Sequence, residues 1–352
     1  MKLGRLPLDG PLVLAPMTTY SGEANGDASQ GELAHYRRRS PGYGAVMTAA
    51  CYVHPRGKAF PGQWGCESVV RIPSMRAVAQ SIHAGGSKAI LQIHHGGRMC
   101  PGAVCGGVPL APSAIPAPRD GAEAPQAMTD DEIAEVIRAF GQAARRAVDS
   151  GFDAVEIHGA NTYLLQQFVS PHSNRREDAW GTDRTRFSIE VLRAVKQDAP
   201  NLPVGYRFSP EELETPGIRL EDTTRLLDRL CEERLDFLHI SLRHYAQLPA
   251  ESQSESATLL SRCLAAIGGR VPLIAVGSVR TAKDVAACLE AGAAAVAIGK
   301  AGITDPDFPE KIGRQQIPDL LFPREGAASR LSLPQGLVDR ILGAPGWFEI
   351  EP

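Results

Sequence analysis

Short apolar runs alternate with longer amphipathic segments along most of the chain. The runs fall at 12–15, 45–48, 88–93, 153–155, 204–207, 237–240, 273–276 and 295–298. They are too short for buried helices and are bounded by Gly or polar residues, so they read as strands buried on both faces. The segments between them carry the helical period. Residues 31–39 form one, and 74–84 another, closed by Gly85-Gly86. Thr129-x-x-Glu132 makes a capping box ahead of apolar positions Ile133, Val136, Ile137, Phe140, Ala144, Ala147 and Val148. Further helices follow at 187–196 and 220–231, then one reached through the polar connection 251–256 and ending at Gly268-Gly269. Thr281-x-x-Asp284 caps the next, which stops at Gly292. Strands alternating with helices imply a parallel sheet, and eight of them imply a closed (β/α)8 TIM barrel of α/β class. An open doubly wound sheet is the alternative, and it calls for a Gly-x-Gly-x-x-Gly turn after the first strand. Residues 12–20 contain none.

The expected organisation is one barrel domain over 1–314. A capping insertion follows the third strand at about 96–128, rich in Gly, Pro and Ala with neither period. Long loops of this kind in compact domains are usually functional. The tail 315–352 fits no recognisable pattern.

Composition changes this picture little. The 352 residues are 43% hydrophobic and 22% charged, with a formal net charge of −3. No Lys/Arg run suggests nucleic acid or an anionic membrane as partner. The N-terminus lacks an apolar signal segment and no apolar stretch approaches 18 residues, so a cytoplasmic location is expected. Seven cysteines without pairing rhythm read as reduced thiols. Cys100 and Cys105 are spaced as half of a metal site, but no second pair accompanies them, and no metal is expected.

In such a barrel the C-terminal strand ends share one mouth. Thr18, Tyr20, Ala50, Gln92, His158, Asn161, Tyr163, Arg207, Gly277-Ser278 and Gly299-Lys300 would meet there. His158 and Asn161, three residues apart on a turn, can aim two N–H donors at one oxygen atom, with Tyr163 as a neighbouring proton donor. The competing reading is that His158 and Asn161 cap the helix expected from 164 to 169. The glycines after strands seven and eight suit a phosphate, with Lys300 adding a cation, although tight turns alone would also favour Gly. His94 and His95 suggest a metal only if further ligands join them, and His239 and His244 read as structural.

Several motifs together resemble the old yellow enzyme family. They are Pro16-Met-Thr-Thr-Tyr-Ser21, Ile90-Leu-Gln-Ile-His94, Glu156-Ile-His-Gly-Ala-Asn-Thr-Tyr-Leu-Leu-Gln-Gln-Phe168, Ser170-Pro-His-Ser-Asn-Arg175, Gly205-Tyr-Arg-Phe-Ser209 and Ala275-Val-Gly-Ser278. The match runs over roughly residues 5 to 312 in family order. It implies an FMN-dependent ene-reductase fed by NADH or NADPH, reducing the activated C=C bond of an unsaturated carbonyl or nitro compound by hydride transfer through flavin N5. Demethylation or isomerisation on the same scaffold, and a flavin-binding module without turnover, are the alternatives.

The resemblance also implies roles. Ala15, Pro16, Met17, Thr18, Ala50, Gln92, Arg207, Gly277, Ser278, Gly299 and Lys300 would bind FMN. His158 and Asn161 would hold the substrate oxygen, Tyr163 would protonate carbon, and Tyr20 would line the substrate pocket. Lys300 stands where the family usually has arginine. With no cysteine cluster after the barrel, electrons are expected directly from the nicotinamide. In some relatives, homo-oligomers, a C-terminal arginine reaches a neighbour's site, a role for Arg324 or Arg330 here. His158 is the clamp member expected to titrate near neutrality.

Overall fold

The computed structural model describes residues 1–250 and 256–352. Its eight central strands are β1 (Leu12–Leu14), β2 (Ala45–Met47), β3 (Lys88–His94), β4 (Ala154–Gly159), β5 (Val204–Phe208), β6 (Phe237–Ile240), β7 (Leu273–Ala275) and β8 (Ala295–Ile298). All pair in parallel, β1 with β2 and so on in chain order. β8 returns to β1, with Ala297 opposite Val13, so the sheet has no open edge. The helices between strands are α1 (Gln30–Arg39), α2 (Ile72–His83), α3 (Asp130–Asp149), α4 (Arg186–Asp198), α5 (Leu220–Glu232), α6 (Leu259–Ile267) and α7 (Ala282–Glu290). Both expected capping boxes form, at Thr129 with Glu132 and at Thr281 with Asp284. A third, Ser29 with Glu32, opens α1. Of the connection expected at 251–256, only Ser256 lies among the described residues.

Side-chain alternation sorts each strand into an inner and an outer face. Val13, Ala45, Met47, Ile90, Ala154, Phe237, Ile274, Ala295 and Ala297 form one apolar cluster inside the barrel. Leu14, Val46, Leu91, Val155, Ile157, Tyr206 and Leu238 belong to the larger cluster between sheet and helices. The lower end of the barrel is closed by an N-terminal hairpin pairing Lys2–Leu3 with Leu6–Pro7. Its Leu3, Leu6 and Leu8 are buried in the inner cluster. Arg5 fixes the hairpin by donating through Nε to Asp236 Oδ1 and through Nη2 to Oδ2, each at 2.9 Å, just before β6 begins.

The insertion at 96–128 holds a short helix, Gly102–Cys105, and a two-residue parallel pairing of Leu110–Ala111 with Gln126–Ala127. Arg176 ties it down through the carbonyls of Pro112 and Met128. The tail has a core of its own. Phe322, Leu331, Leu333, Leu337, Ile341 and Phe348 are buried against Ile303, with Met17 packed beside them. The fully buried guanidinium of Arg39, from α1, joins this tail to the barrel. It donates to the carbonyls of Gly302 and Ile303 on one side and of Leu331 and Ser332 on the other, at 2.9 to 3.3 Å. Among the described residues no helix is long and apolar enough to cross a membrane.

Candidate active site

Polar side chains enter the barrel interior at the level of the upper strand ends. β3, β4, β5 and β6 place Gln92 opposite Glu156, and Arg207 opposite both His158 and His239, in register. Gln92 Nε2 donates to Glu156 Oε1 at 2.6 Å, and His239 Nδ1 meets Glu156 Oε2 at 2.8 Å. Glu156 is completely buried, so these two partners and the neighbouring Arg207 cation are what make a carboxylate tolerable there. The bond also fixes the amide of Gln92 with its oxygen turned away from Glu156 and available as an acceptor.

The stretch after β4 carries the chemistry the sequence suggested. Asn161 and Thr162 sit consecutively at positive φ, 56° and 64°. Asn tolerates that region; a β-branched Thr does so only under constraint. Tyr20 and Ser278, two more expected site residues, are also left-handed, at 53° and 50°. The turn is held by Ser209 Oγ, which accepts from Asn161 N at 3.0 Å, and by Gln166 and Gln167 on Thr162. Helix capping by His158 or Asn161 does not occur. The short helix Leu164–Val169 starts at Tyr163, which supplies no side-chain cap. Asn161 Oδ1 instead accepts from Ser241 Oγ at 2.8 Å, and Ser241 in turn accepts from Arg207 Nη2 at 3.2 Å. With its oxygen occupied, the asparagine presents its NH2 group outward.

His158 Nδ1 accepts from Ala160 N at 3.3 Å, which leaves the ring proton on Nε2 as a donor. Burial pushes the His158 pKa well below the ordinary value, and the charges of His94, Arg207 and His239 push the same way. The expectation that His158 titrates near neutrality is therefore corrected: it is a fixed neutral donor. Its ring lies 5.1 Å from that of Tyr163, and His94 packs edge-on against Tyr163 at 4.3 Å. Burial raises the Tyr163 phenol to about 12.

The expected cofactor residues largely meet in one cavity of about 600 Å³. Ala15, Pro16, Met17, Arg207, Gly277, Ser278, Gly299 and Lys300 all line it. Gly277, at φ +130°, allows the backbone of His244 and Tyr245 to pass where a Cβ would come within 2.8 Å. Gln92 and Ala50 are buried and are not among the residues that line this cavity, and Gln63 Nε2 donates to the Ala50 carbonyl at 2.9 Å. Thr18 is half-buried, is not among the cavity's lining and has no side-chain hydrogen bond among the described residues, whereas Thr19 is buried and donates to Glu32.

Sequence reasoning missed several participants. Ser241 follows β6 directly, and polar residues there are a signal in a barrel. His239 and Glu156 lie on inward-facing positions of their strands, which alternation reveals once β4 is extended to Gly159. The tail also contributes: Trp347, Phe348 and Glu349 line the 600 Å³ cavity, with Lys300 Nζ donating to Trp347 O at 2.5 Å and Glu349 pairing with Arg280 at 2.8 Å. Arg330 pairs with Glu351 of its own chain at 2.9 Å. Arg324 is exposed.

A closed parallel barrel with this constellation at its upper mouth defines a class of flavoenzymes, and comparison with known proteins agrees. Residues 1–319 match the model of the NADH:flavin oxidoreductase / NADH oxidase family, so the chain belongs to that family, the old yellow enzymes. It is 38% identical to the probable NADH-dependent flavin oxidoreductase YqiG of Bacillus subtilis, over 97% of this chain and 94% of that one. It is 41% identical to the NADH:fumarate oxidoreductase of Klebsiella pneumoniae, over 87% of this chain but only 34% of that protein. It is 42% identical to the NADH:acrylate oxidoreductase of Vibrio harveyi, of which it spans 32%. Among solved structures, the old yellow enzyme homologue from Zymomonas mobilis superposes with a TM-score of 0.82 at 23% identity, covering 96% and 97% of the two chains. Morphinone reductase gives 0.78 at 26%, covering 91% and 89%. The protein is accordingly an NAD(P)H-dependent flavin oxidoreductase with FMN as cofactor.

Proposed function

We propose that the protein is an ene-reductase, reducing a C=C bond conjugated to an electron-withdrawing group. The observation that carries this reading is the convergence of two neutral donors, His158 and Asn161, with a protonated phenol, Tyr163. Bound FMN supplies the hydride taken from NADH or NADPH. The chain's own residues supply the rest. His158 Nε2–H and the Asn161 NH2 stabilise charge that grows on the substrate oxygen, which acts on the transition state more than on the ground state. Tyr163, its proton held up to about pH 12, delivers that proton to carbon.

The fit to FMN rests on this chain's features. Arg207 lines the 600 Å³ cavity, and its Nε has no hydrogen-bond partner among the described residues. A buried unpartnered guanidinium N–H suits the electron-rich edge of a reduced flavin. The acceptor oxygen of Gln92 suits its ring N–H, and the Gly277-Ser278 and Gly299-Lys300 turns suit a phosphate. Further support comes from the relatives named for fumarate and acrylate, both conjugated alkenes.

Anaerobic stopped-flow with the holoenzyme tests the reading. Reoxidation of the reduced flavin by cyclohexenone is expected to be faster than with cyclohexanone by orders of magnitude. Equal, background-level reoxidation by both overturns it.

A further inference from the structure

A second groove, of about 680 Å³, opens directly over Tyr163. Tyr20, Phe60, Met99 and Tyr163 line it with aromatic and thioether surface, and Arg119 and Arg340 stand at its rim. The two arginines come from unrelated parts of the chain, the capping insertion and the tail helix Gln335–Leu342. Neither has a carboxylate within ion-pair distance among the described residues. The Arg340 guanidinium lies 5.7 Å over the Tyr20 ring, which uses its face and leaves its edge N–H groups open. Arg119 donates one N–H, to the Met99 carbonyl at 3.1 Å, and keeps the others. Asp339 also lines the groove and accepts from Gln335 Nε2 at 2.7 Å, so the rim is net cationic.

Guanidinium groups over an apolar floor are the arrangement that recognises a planar oxyanion attached to a carbon skeleton. We propose that this groove selects molecules carrying an anionic group, a carboxylate or a phosphate, which Arg119 and Arg340 hold while the reacting end reaches Tyr163. The inference rests on the ene-reductase reading for the identity of the reacting end. The anion has two sources: the carboxylate of an acceptor or the phosphates of the nicotinamide donor.

The test uses the FMN holoenzyme and an R119Q/R340Q double variant, whose side chains are exposed and outside the core. In the oxidative arm, chemically reduced enzyme is mixed with (E)-4-oxopent-2-enoate or with its methyl ester, which share the enone and differ in charge. In the reductive arm, oxidised enzyme is mixed with NADH or with the uncharged 1-benzyl-1,4-dihydronicotinamide. A roughly tenfold rise in half-saturation for the acid but not the ester assigns the site to acceptor carboxylates, and the same rise for NADH alone assigns it to donor phosphates. Less than a twofold change in every arm overturns the proposal. If neither enone is reduced, the ene-reductase reading falls separately, and titration of the oxidised flavin's absorbance with benzoate and benzamide decides the anion site. A benzoate preference abolished in the double variant sustains it, and an absent or unchanged preference overturns it.

Discussion

Replacing Ser241 by alanine removes one hydroxyl that links the two halves of the site. That hydroxyl donates to Asn161 Oδ1 at 2.8 Å and accepts from Arg207 Nη2 at 3.2 Å. In S241A, Arg207 keeps its charge and its place on β5, so the flavin edge is little altered. Asn161 loses the one side-chain partner among the described residues that distinguishes its oxygen from its nitrogen. A partly exposed neutral hydrogen bond contributes about 1 kcal/mol, at the middle of the usual range. That bond governs the rate through the amide orientation it holds: an even flip on its loss gives RT ln 2, about 0.4 kcal/mol, and loss of the whole bias gives about 1 kcal/mol. The rate constant for reoxidation by cyclohexenone is therefore expected to fall about two- to fivefold. Flavin reduction by NADH is expected to change less than twofold. S241T, which restores a hydroxyl, is expected to recover most of the loss. Stopped-flow measurement of the two half-reactions reads both numbers. An S241A variant that loses equally in both halves, or in neither, refutes the idea that Ser241 orients the clamp.

Other expectations follow from the same geometry. Y163F is expected to slow reoxidation by an enone at least a hundredfold while leaving flavin reduction by nicotinamide nearly intact, as measured by single-turnover absorbance. The rate of reoxidation by an enone, as far as His158 and Tyr163 govern it, is expected to be flat from pH 6 to 9. Burial holds His158 neutral and Tyr163 protonated across that window, and an inflection lost on His158→Asn substitution would contradict this. Stability is expected to fall as pH drops below 6.5, because His35, His94, His95 and His158 all have depressed values in the folded state, His94 to about 3. The unfolded chain binds those protons first, and each such histidine withdraws up to about 1.4 kcal/mol per pH unit, readable in urea midpoints. Glu32 acts in the opposite sense: burial raises it to about 7, so it costs stability progressively from pH 4.5 up through 7, about 3 kcal/mol in all. E32Q is expected to remove that part of the profile, and an unchanged difference between pH 5 and pH 8 would count against the assignment.

The barrel was legible because parallel strands buried on both faces leave uninterrupted apolar runs, and because Thr129, Thr281 and Gly268 punctuate the helices between them. The site residues were legible as a set, since strand ends share a mouth whatever lies between them in sequence. Less legible was anything that depends on side-chain direction. His158 has the composition of a titrating residue, and only burial beside His94 and Arg207 shows that it does not titrate near neutrality. His239 looks structural until β6 turns it inward onto Glu156. The tail defied pattern reading because its elements are short, the helix Ala327–Arg330 spanning four residues, and its apolar cluster is completed by Ile303 and Met17 from the barrel.

The joint made by Arg39 has an evolutionary consequence. Its partners are four carbonyl oxygens, Gly302 and Ile303 on the barrel side and Leu331 and Ser332 on the tail side. A guanidinium that recognises only main chain places no demand on which side chains those positions bear. The hydrogen bonds of the joint therefore persist through changes of side chain, and the tail can diverge wherever its apolar packing on Ile303 and Met17 is kept, taking with it the residues it lends to the rim and cavity wall: Arg340, Trp347, Phe348 and Glu349. If Arg340 selects ligands as proposed, ligand preference travels with the tail and changes separately from the residues inside the barrel.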